Sequence, residues 1–244
     1  MAIRILVNGA KGRMGQVTVN MLNQHAGFIL AGEADHQDDL AQAIKQANAD
    51  VVVDFTNPEA VYQNIKTIIA SGARPVIGTT GLQREQIHEL QTQCAQLKRG
   101  GIIAPNFSLG AVLMMKCASE IAGYFPQAEI IEMHHDGKID SPSGTAIRAA
   151  EMLAENRGDS PAEKKPSRET LPGARGANLK GTPIHAIRLP GLLAHLQIIF
   201  GNTGETLTFR HDTIDRACFM PGVRLACEKV MGLEKLIYGL EGVL

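Results

Sequence analysis

Along the first hundred residues, hydrophobic and polar positions follow a repeating rhythm of short apolar runs and longer helical stripes. Ile3–Asn8 predicts a strand, and Met14–Asn23 carries apolar residues at 14, 17, 21 and 22, one face of a helix. Phe28–Ala34 reads as a second strand and Val51–Phe55 as a fully buried one. Pro58 stands near the start of the next helix, where its missing N–H removes nothing the helix would use. Val76–Gly78 and Ile102–Ala104 are two further short strands, separated by the helical stretch Arg84–Leu97. Alternation of this kind builds a parallel sheet with right-handed crossovers, the doubly wound α/β outline.

After Asn106 the rhythm changes. Leu109–Tyr124 predicts one long helix, Glu129–Met133 a strand, and Ser143 to Asn156 a helix entered through a polar loop. Residues 157–180 are rich in Pro, Gly and charge, an excursion expected to be a mobile lid or linker. Strands Ile184–Leu189, Leu196–Phe200 and Glu205–Arg210 follow, with Gly201 and Gly204 around the last turn, and suggest a more open, mixed or antiparallel sheet. Phe219 to Leu244 reads as helical. The expected division is a dinucleotide-binding Rossmann domain of residues 1–106, with 217–244 packing back on it. Residues 107–216 then form a second, α+β domain for substrate binding and oligomerisation.

Composition narrows the classes. No apolar run among the 244 residues reaches the roughly 20 that a membrane span needs. A net charge of −1 offers no surface for nucleic acid or an anionic membrane. The absence of Trp argues against a platform for stacking bases or sugars. The amino terminus enters a strand-like run without a basic region and cleavage site, so a cytoplasmic protein is expected. Cys94, Cys117, Cys218 and Cys227 are scattered without a C-x-x-C pair, which predicts reduced thiols and neither a metal site nor a disulfide framework.

The turn Gly9-Ala10-Lys11-Gly12-Arg13-Met14-Gly15 follows a strand and opens a helix. Glycine lets the backbone approach a pyrophosphate, whose charge the helix N-terminus stabilises. The spacing is G-x-x-G-x-x-G, with Lys11 and Met14 where the usual motif has its second and third glycines. Asp35, about 20 residues further on at the end of the second strand, stands where an acid binds ribose hydroxyls. The alternative is that these glycines only let strand and helix pack closely. A carboxylate at 35 repels a 2′-phosphate, while Lys11 and Arg13 could reach one, so NADH preference with some NADPH use is expected. Two more turns, Gly78-Thr79-Thr80-Gly81 and Ala104-Pro105-Asn106-Phe107, end strands at the same sheet edge and are further candidates for cofactor contact.

The segment from Glu132 to Ala146 holds the densest chemistry. It leaves a strand through His134 and His135, crosses a loop with Lys138, and enters a helix through Ser143-Gly144-Thr145. Histidine exchanges protons near neutrality, lysine supplies a charge or a proton, and a helix start presents free N–H groups to a carboxylate. Together they describe a site for a small anionic substrate that is protonated as well as reduced. Surface histidines and a Ser143 that merely caps the helix are the plainer alternative. Adjacent histidines on a strand point to opposite faces, which disfavours a metal.

The chain resembles the 4-hydroxy-tetrahydrodipicolinate reductase (dihydrodipicolinate reductase) family of the lysine and diaminopimelate pathway. The signature E-x-H-x-x-x-K-x-D-x-P-S-G-T-A is matched by Glu132, His134, Lys138, Asp140, Pro142, Ser143, Gly144, Thr145 and Ala146. The similarity extends through Asp54-Phe55-Thr56, Asn106-Phe107-Ser108, Arg188-Leu189-Pro190-Gly191 and His211-Asp212. It implies hydride transfer from NADH or NADPH to C4 of a cyclic dicarboxylate, with loss of its 4-hydroxyl as water, in a homotetramer that closes over substrate. On matching positions His134 is implied as proton donor and acceptor and Lys138 as second donor; His135, Gly144 and Thr145 are implied as substrate contacts. Gly9 through Met14, Asp35, Gly78 through Thr80 and Ala104 through Phe107 are implied as the cofactor set. The chain differs from some members in having His36 in place of an arginine, Gly137 in place of a histidine, and a short stretch between Asp35 and Asp54. Another Rossmann enzyme of acidic substrates and a non-catalytic dinucleotide sensor remain as alternatives.

Overall fold

The structure, a computed structural model, describes residues 2–157 and 168–244. The chain forms two compact units, Met1–Leu109 with Arg216–Leu244, and Gly110–Asp215.

The first unit is built on β1 (Ile3–Asn8), β2 (Phe28–Ala34), β3 (Val51–Asp54), β4 (Arg74–Ile77), β5 (Gly101–Ile103) and, from the chain's end, β11 (Leu236–Tyr238). They form one sheet in the order β11-β5-β4-β3-β1-β2, every pair parallel. The central strands are apolar on both faces because helices cover both: Ile5, Val7 and Val51 to Val53 are fully buried. Strand order reverses between β1 and β3, and ligands of such sheets bind beyond the carboxyl ends of the strands at that point.

Three of the connecting helices start where a side chain provides an acceptor for their free N–H groups. Asn57 caps α3 (Pro58–Ala70) by accepting from Ala60 N–H at 3.0 Å, and Pro58 occupies the first turn. A reciprocal pair, Gln83 and Gln86, closes the start of α4 (Arg84–Gln96). α2 (Leu40–Ala47) is an element the apolar pattern did not announce, because its stripe is largely alanine. Its ends are nonetheless marked, by Asp39 accepting from Gln42 N–H and by Asn48 in the left-handed region at φ 46°. Cys94 and Cys227 are buried in this unit, and burial pushes the Cys94 thiol up to about 11.

The carboxy-terminal stretch corrects the expectation of a helix over 219–244. Only α7 (Met220–Lys229) is α-helical there; short 3-10 turns flank it, and β11 follows. Leu-Ile-Tyr finds an open sheet edge at β5, where Gly101 allows Leu236 to approach; a Cβ on Gly101 would lie 3.3 Å from the Leu236 side chain and 2.9 Å from Pro75. Local pattern alone cannot reveal that edge, since β5 lies about 130 residues earlier in the chain.

The second unit holds the sheet β10-β9-β6-β8-β7, from β6 (Ala128–His134), β7 (Ala177–Leu179), β8 (Thr182–Arg188), β9 (Ala194–Asn202) and β10 (Glu205–Thr213). β6 and β8 are parallel and the remaining pairs antiparallel, so the sheet is mixed. Ile130, Ile184, Ile198 and Phe200 bury one face, with α6 (Gly144–Arg157) packed on β6 and β8. α5 (Leu109–Ile121) packs on α6, where the Ser119 hydroxyl donates to the Met152 carbonyl at 2.7 Å. The lid or linker expected over 157–180 falls in part on residues 158–167, outside the described residues. Its later part contains β7, a short strand that paucity of apolar side chains left unmarked. Among the described residues no helix is long and apolar enough to cross a membrane.

Candidate active site

At the carboxyl edge of the parallel sheet, the loops after β1, β3 and β4 are tied together by one buried carboxylate. Asp54 accepts from Asn8 Nδ2 at 2.8 Å, Asn64 Nδ2 at 3.0 Å, Thr56 Oγ1 at 2.7 Å and Thr79 Oγ1 at 2.9 Å. The Thr79 hydroxyl in turn accepts from Thr56 N–H at 2.8 Å. A buried charge is tolerated only with such a ring of donors, and this ring fixes the loop conformations.

The glycine turn is shaped by contacts that exclude a side chain. Gly9 has φ +81°, and a Cβ there would lie 2.5 Å from the Phe55 carbonyl oxygen. Gly12 is the N-cap of α1 (Arg13–Gln24), and no side chain caps that helix. Its first-turn N–H groups and positive dipole end therefore suit a phosphate. Asp35 does more than end β2: its Oδ2 accepts from the Lys11 backbone N–H at 2.9 Å, so the acid holds the turn. His36, beside it, is well exposed.

Of the other cofactor candidates, Ala10, Ala104 and Phe107 turn their side chains into the core, so the groups they can offer a ligand are main-chain ones. Thr79 spends its hydroxyl on Asp54, whereas Lys11, Arg13 and Thr80 are exposed, Met14 is half-buried, and Gly78 packs under the Phe55 ring. Pro105 and Asn106 are half-buried, and the Asn106 side chain accepts from Ser108 N–H at 2.7 Å.

In the second unit the strand geometry gathers a different cluster. Glu132 and His134 are two apart on β6 and so share a face. Sheet register sets Arg188 of β8 beside His134. Glu132 is fully buried and hydrogen-bonds His134 Nδ1; Arg188 donates to both its oxygens, at 2.7 and 3.0 Å, and Ser143 N–H donates at 3.2 Å. Arg188 also donates to the Asp140 carbonyl at 2.7 Å, and Lys138 Nζ pairs with the Asp140 carboxylate at 2.6 Å. His134 and Lys138 thus belong to one continuous array.

Burial pushes the Glu132 carboxyl up, but the hydrogen bonds and charges of His134 and Arg188 outweigh it and hold the group below the ordinary carboxylate value. Glu132 is therefore ionised at neutral pH. Its stabilisation is complete above the ordinary carboxylate range and is lost as pH falls through the lowered folded value.

The turn after β6 closes with Lys138 N–H donating to the His135 carbonyl at 3.1 Å. Ser143 does cap α6, its hydroxyl accepting from Ala146 N–H at 3.3 Å. The plainer reading of Ser143 thus holds for its side chain, and Gly144 and Thr145 follow it in the first turn of the helix. A Cβ on Gly144 would meet no described atom within 4 Å.

Residue types alone left several of these groups without a role. Asn8 and Asn64 carried no motif, and Arg188 and Glu132 stood inside matched motifs with no function attached. The signal available for Glu132 was its i, i+2 spacing to His134 on a strand; for Arg188 there was none, since it lies 56 residues away.

Residues 3–107 match the family described as dihydrodipicolinate reductase, N-terminus, and residues 110–244 the one described as dihydrodipicolinate reductase, C-terminus. This chain belongs to the dihydrodipicolinate reductase family. The 4-hydroxy-tetrahydrodipicolinate reductases of Coxiella burnetii (strain Dugway 5J108-111) and Legionella pneumophila (strain Paris) are 54% and 51% identical to it, each over the whole of both chains. A solved structure, dipicolinate-bound dihydrodipicolinate reductase from Paenisporosarcina sp. TG-14, superposes with a TM-score of 0.87 at 42% identity, again over all of both chains. Dihydrodipicolinate reductases are oxidoreductases, which decides against the cofactor sensor. The family signature coincides with the residues the second unit gathers around Glu132.

Proposed function

We propose that this chain catalyses the NAD(P)H-dependent reduction of 4-hydroxy-tetrahydrodipicolinate to tetrahydrodipicolinate and water. The observation that carries the reading is the array His134–Glu132–Arg188–Asp140–Lys138 beside the start of α6. The first unit suits the cofactor: Gly9 and Gly12 let the turn pack tightly, since a Cβ would lie 2.5 Å from the Phe55 carbonyl oxygen and 3.1 Å from the Gly9 carbonyl oxygen, and α1 begins without a side-chain cap. When bound, the reduced nicotinamide supplies the hydride that goes to C4 of the substrate. The departing 4-hydroxyl needs a proton to leave as water, and His134 supplies it, with Lys138 as a second donor and a nearby positive charge. Gly144, Thr145 and the N–H groups of the α6 start bind a carboxylate of the substrate, and His135 contacts it from the loop. Dipicolinate, the planar dicarboxylate in the Paenisporosarcina enzyme, is the kind of ligand such a site takes.

Gly9 to Met14, Asp35, Gly78 to Thr80 and Ala104 to Phe107 form the proposed cofactor set. Asp35, with no arginine after it, supports a preference for NADH, and Lys11 and Arg13 support residual use of NADPH. The purified protein is expected to oxidise NADH when freshly made substrate is added, with a higher kcat/KM than for NADPH. Absence of oxidation with either nicotinamide, while cofactor still binds, would sink the reductase reading; equal kcat/KM values would remove only the preference.

A homotetramer belongs to the same reading. Ile131, Met133, Ile187 and Ile199 lie on the face of the mixed sheet opposite its buried one and are only partly covered within a single chain. Sedimentation equilibrium is expected to give about four times the chain mass, by the closed symmetry such sheet faces adopt. A mass equal to one chain would reject it.

A further inference from the structure

The array around Glu132 carries more than an assignment of proton donors, because it specifies which nitrogen of His134 holds the proton. We infer that Glu132 is a positioning residue: clamped by Arg188, its carboxylate accepts the Nδ1 proton of His134 and leaves Nε2 as the nitrogen that exchanges a proton with the substrate. The inference rests on His134 acting as the proton-exchanging group proposed above.

The geometry excludes the alternatives one by one. Glu132 Oε2 contacts His134 Nδ1, and an ionised carboxylate only accepts, so the hydrogen between them sits on Nδ1. Arg188 donates to Oε1 and to Oε2 and has no acceptor to offer, so it holds the carboxylate ionised and oriented. Ser143 N–H donates to Oε1, which ties the same carboxylate to the start of α6. Arg188 also donates to the Asp140 carbonyl, next along the chain from Ile139 and two from Lys138. One fully buried carboxylate therefore sets the tautomer of His134, the entry of the proposed carboxylate cradle and, through Arg188, the loop bearing Lys138. Neither Glu132 nor Arg188 has to touch substrate for this; both act through their neighbours.

Glu132→Gln tests the idea because the amide conserves shape and breaks the pattern. Arg188 and Ser143 N–H both donate at the Oε1 position, so the amide oxygen takes that side and the NH₂ group is left against His134 Nδ1 and the second Arg188 N–H. That nitrogen must then accept, the ring proton moves to Nε2, and the doubly protonated ring loses its partner. Comparable loss of a tautomer-setting carboxylate lowers turnover by about 10⁴-fold in the worked case of the serine-protease triad; a fall of about 10²–10⁴-fold in kcat, with NADH affinity unchanged, is expected here.

The deciding readout is the ¹⁵N spectrum of ring-labelled histidine, with His134 assigned by its disappearance in His134→Gln. In the wild-type protein, neutral His134 is expected to carry its proton on Nδ1, and in Glu132→Gln on Nε2. A wild-type spectrum showing the Nε2–H form overturns the proposal, even if the variant does not fold. So does a variant whose turnover falls while the Nδ1–H signature persists, which would be a structural effect only, or one whose tautomer switches with turnover intact. The tautomer measurement needs no turnover, so a protein inactive on the proposed substrate would still test the positioning role separately from the reductase reading.

Discussion

His134→Gln is expected to lower kcat by about 10²–10⁴-fold, the range that a positioned general acid contributes, while leaving the dissociation constant of NADH unchanged. The reason for the split is structural: His134 ends β6 of the second unit, whereas the glycine turn and Asp35 belong to the first. Glutamine keeps a hydrogen-bonding side chain toward Glu132 but has no proton to release near neutral pH. Stopped-flow measurement of single-turnover NADH oxidation isolates the chemical step from product release. An unchanged rate would remove His134 from the mechanism and shift the burden to Lys138. Lys138→Met is expected to act in the same direction, since it deletes the second donor and releases Asp140 from its 2.6 Å pair.

Gly15→Ala is expected to be as damaging by a wholly different route. Gly15 is buried in the first turn of α1, and a Cβ there would lie 2.1 Å from the Gly9 carbonyl oxygen and 2.7 Å from Ala10 Cα. Both neighbours are backbone, so no rotamer change relieves the clash, and the glycine turn must move off the helix. Overpacking of this kind destabilises by about 1–3 kcal/mol. The displaced turn also takes the Lys11 N–H away from Asp35, and NADH binding is expected to weaken at least about tenfold, equivalent to ~1.4 kcal/mol. Titration of the variant followed by NADH fluorescence measures that affinity. Wild-type affinity in this variant would show that the turn reforms around the extra methyl and that close packing is not what shapes it.

The two residues also mark how differently the parts of the site could be read. Gly15 was legible because its meaning is local: a strand, a glycine turn and a helix follow one another within about a dozen residues. The same holds for β1, β2 and β3, for Pro58 at the start of α3, and for the E-x-H-to-T-A signature. The tail's own pattern predicts helix, whereas β11 takes its conformation from β5. α2 went unread because alanine gives a faint stripe, although Asp39 and Asn48 stood at its two ends as ordinary cap signals.

Sequence by itself determined most of the alternation of elements, the parallel sheet of the first unit, the glycine turn and the His134–Lys138 segment. These depend on periodicity and on residue types at fixed short spacings, which the chain carries wherever it is folded. Only the tertiary structure decided which buried carboxylates organise the site. Asp54 meets Asn8 across 46 residues, and Glu132 meets Arg188 across 56, because strand register brings them together. A buried charge has to find its donors in three dimensions, and no spacing along the chain records which ones it found.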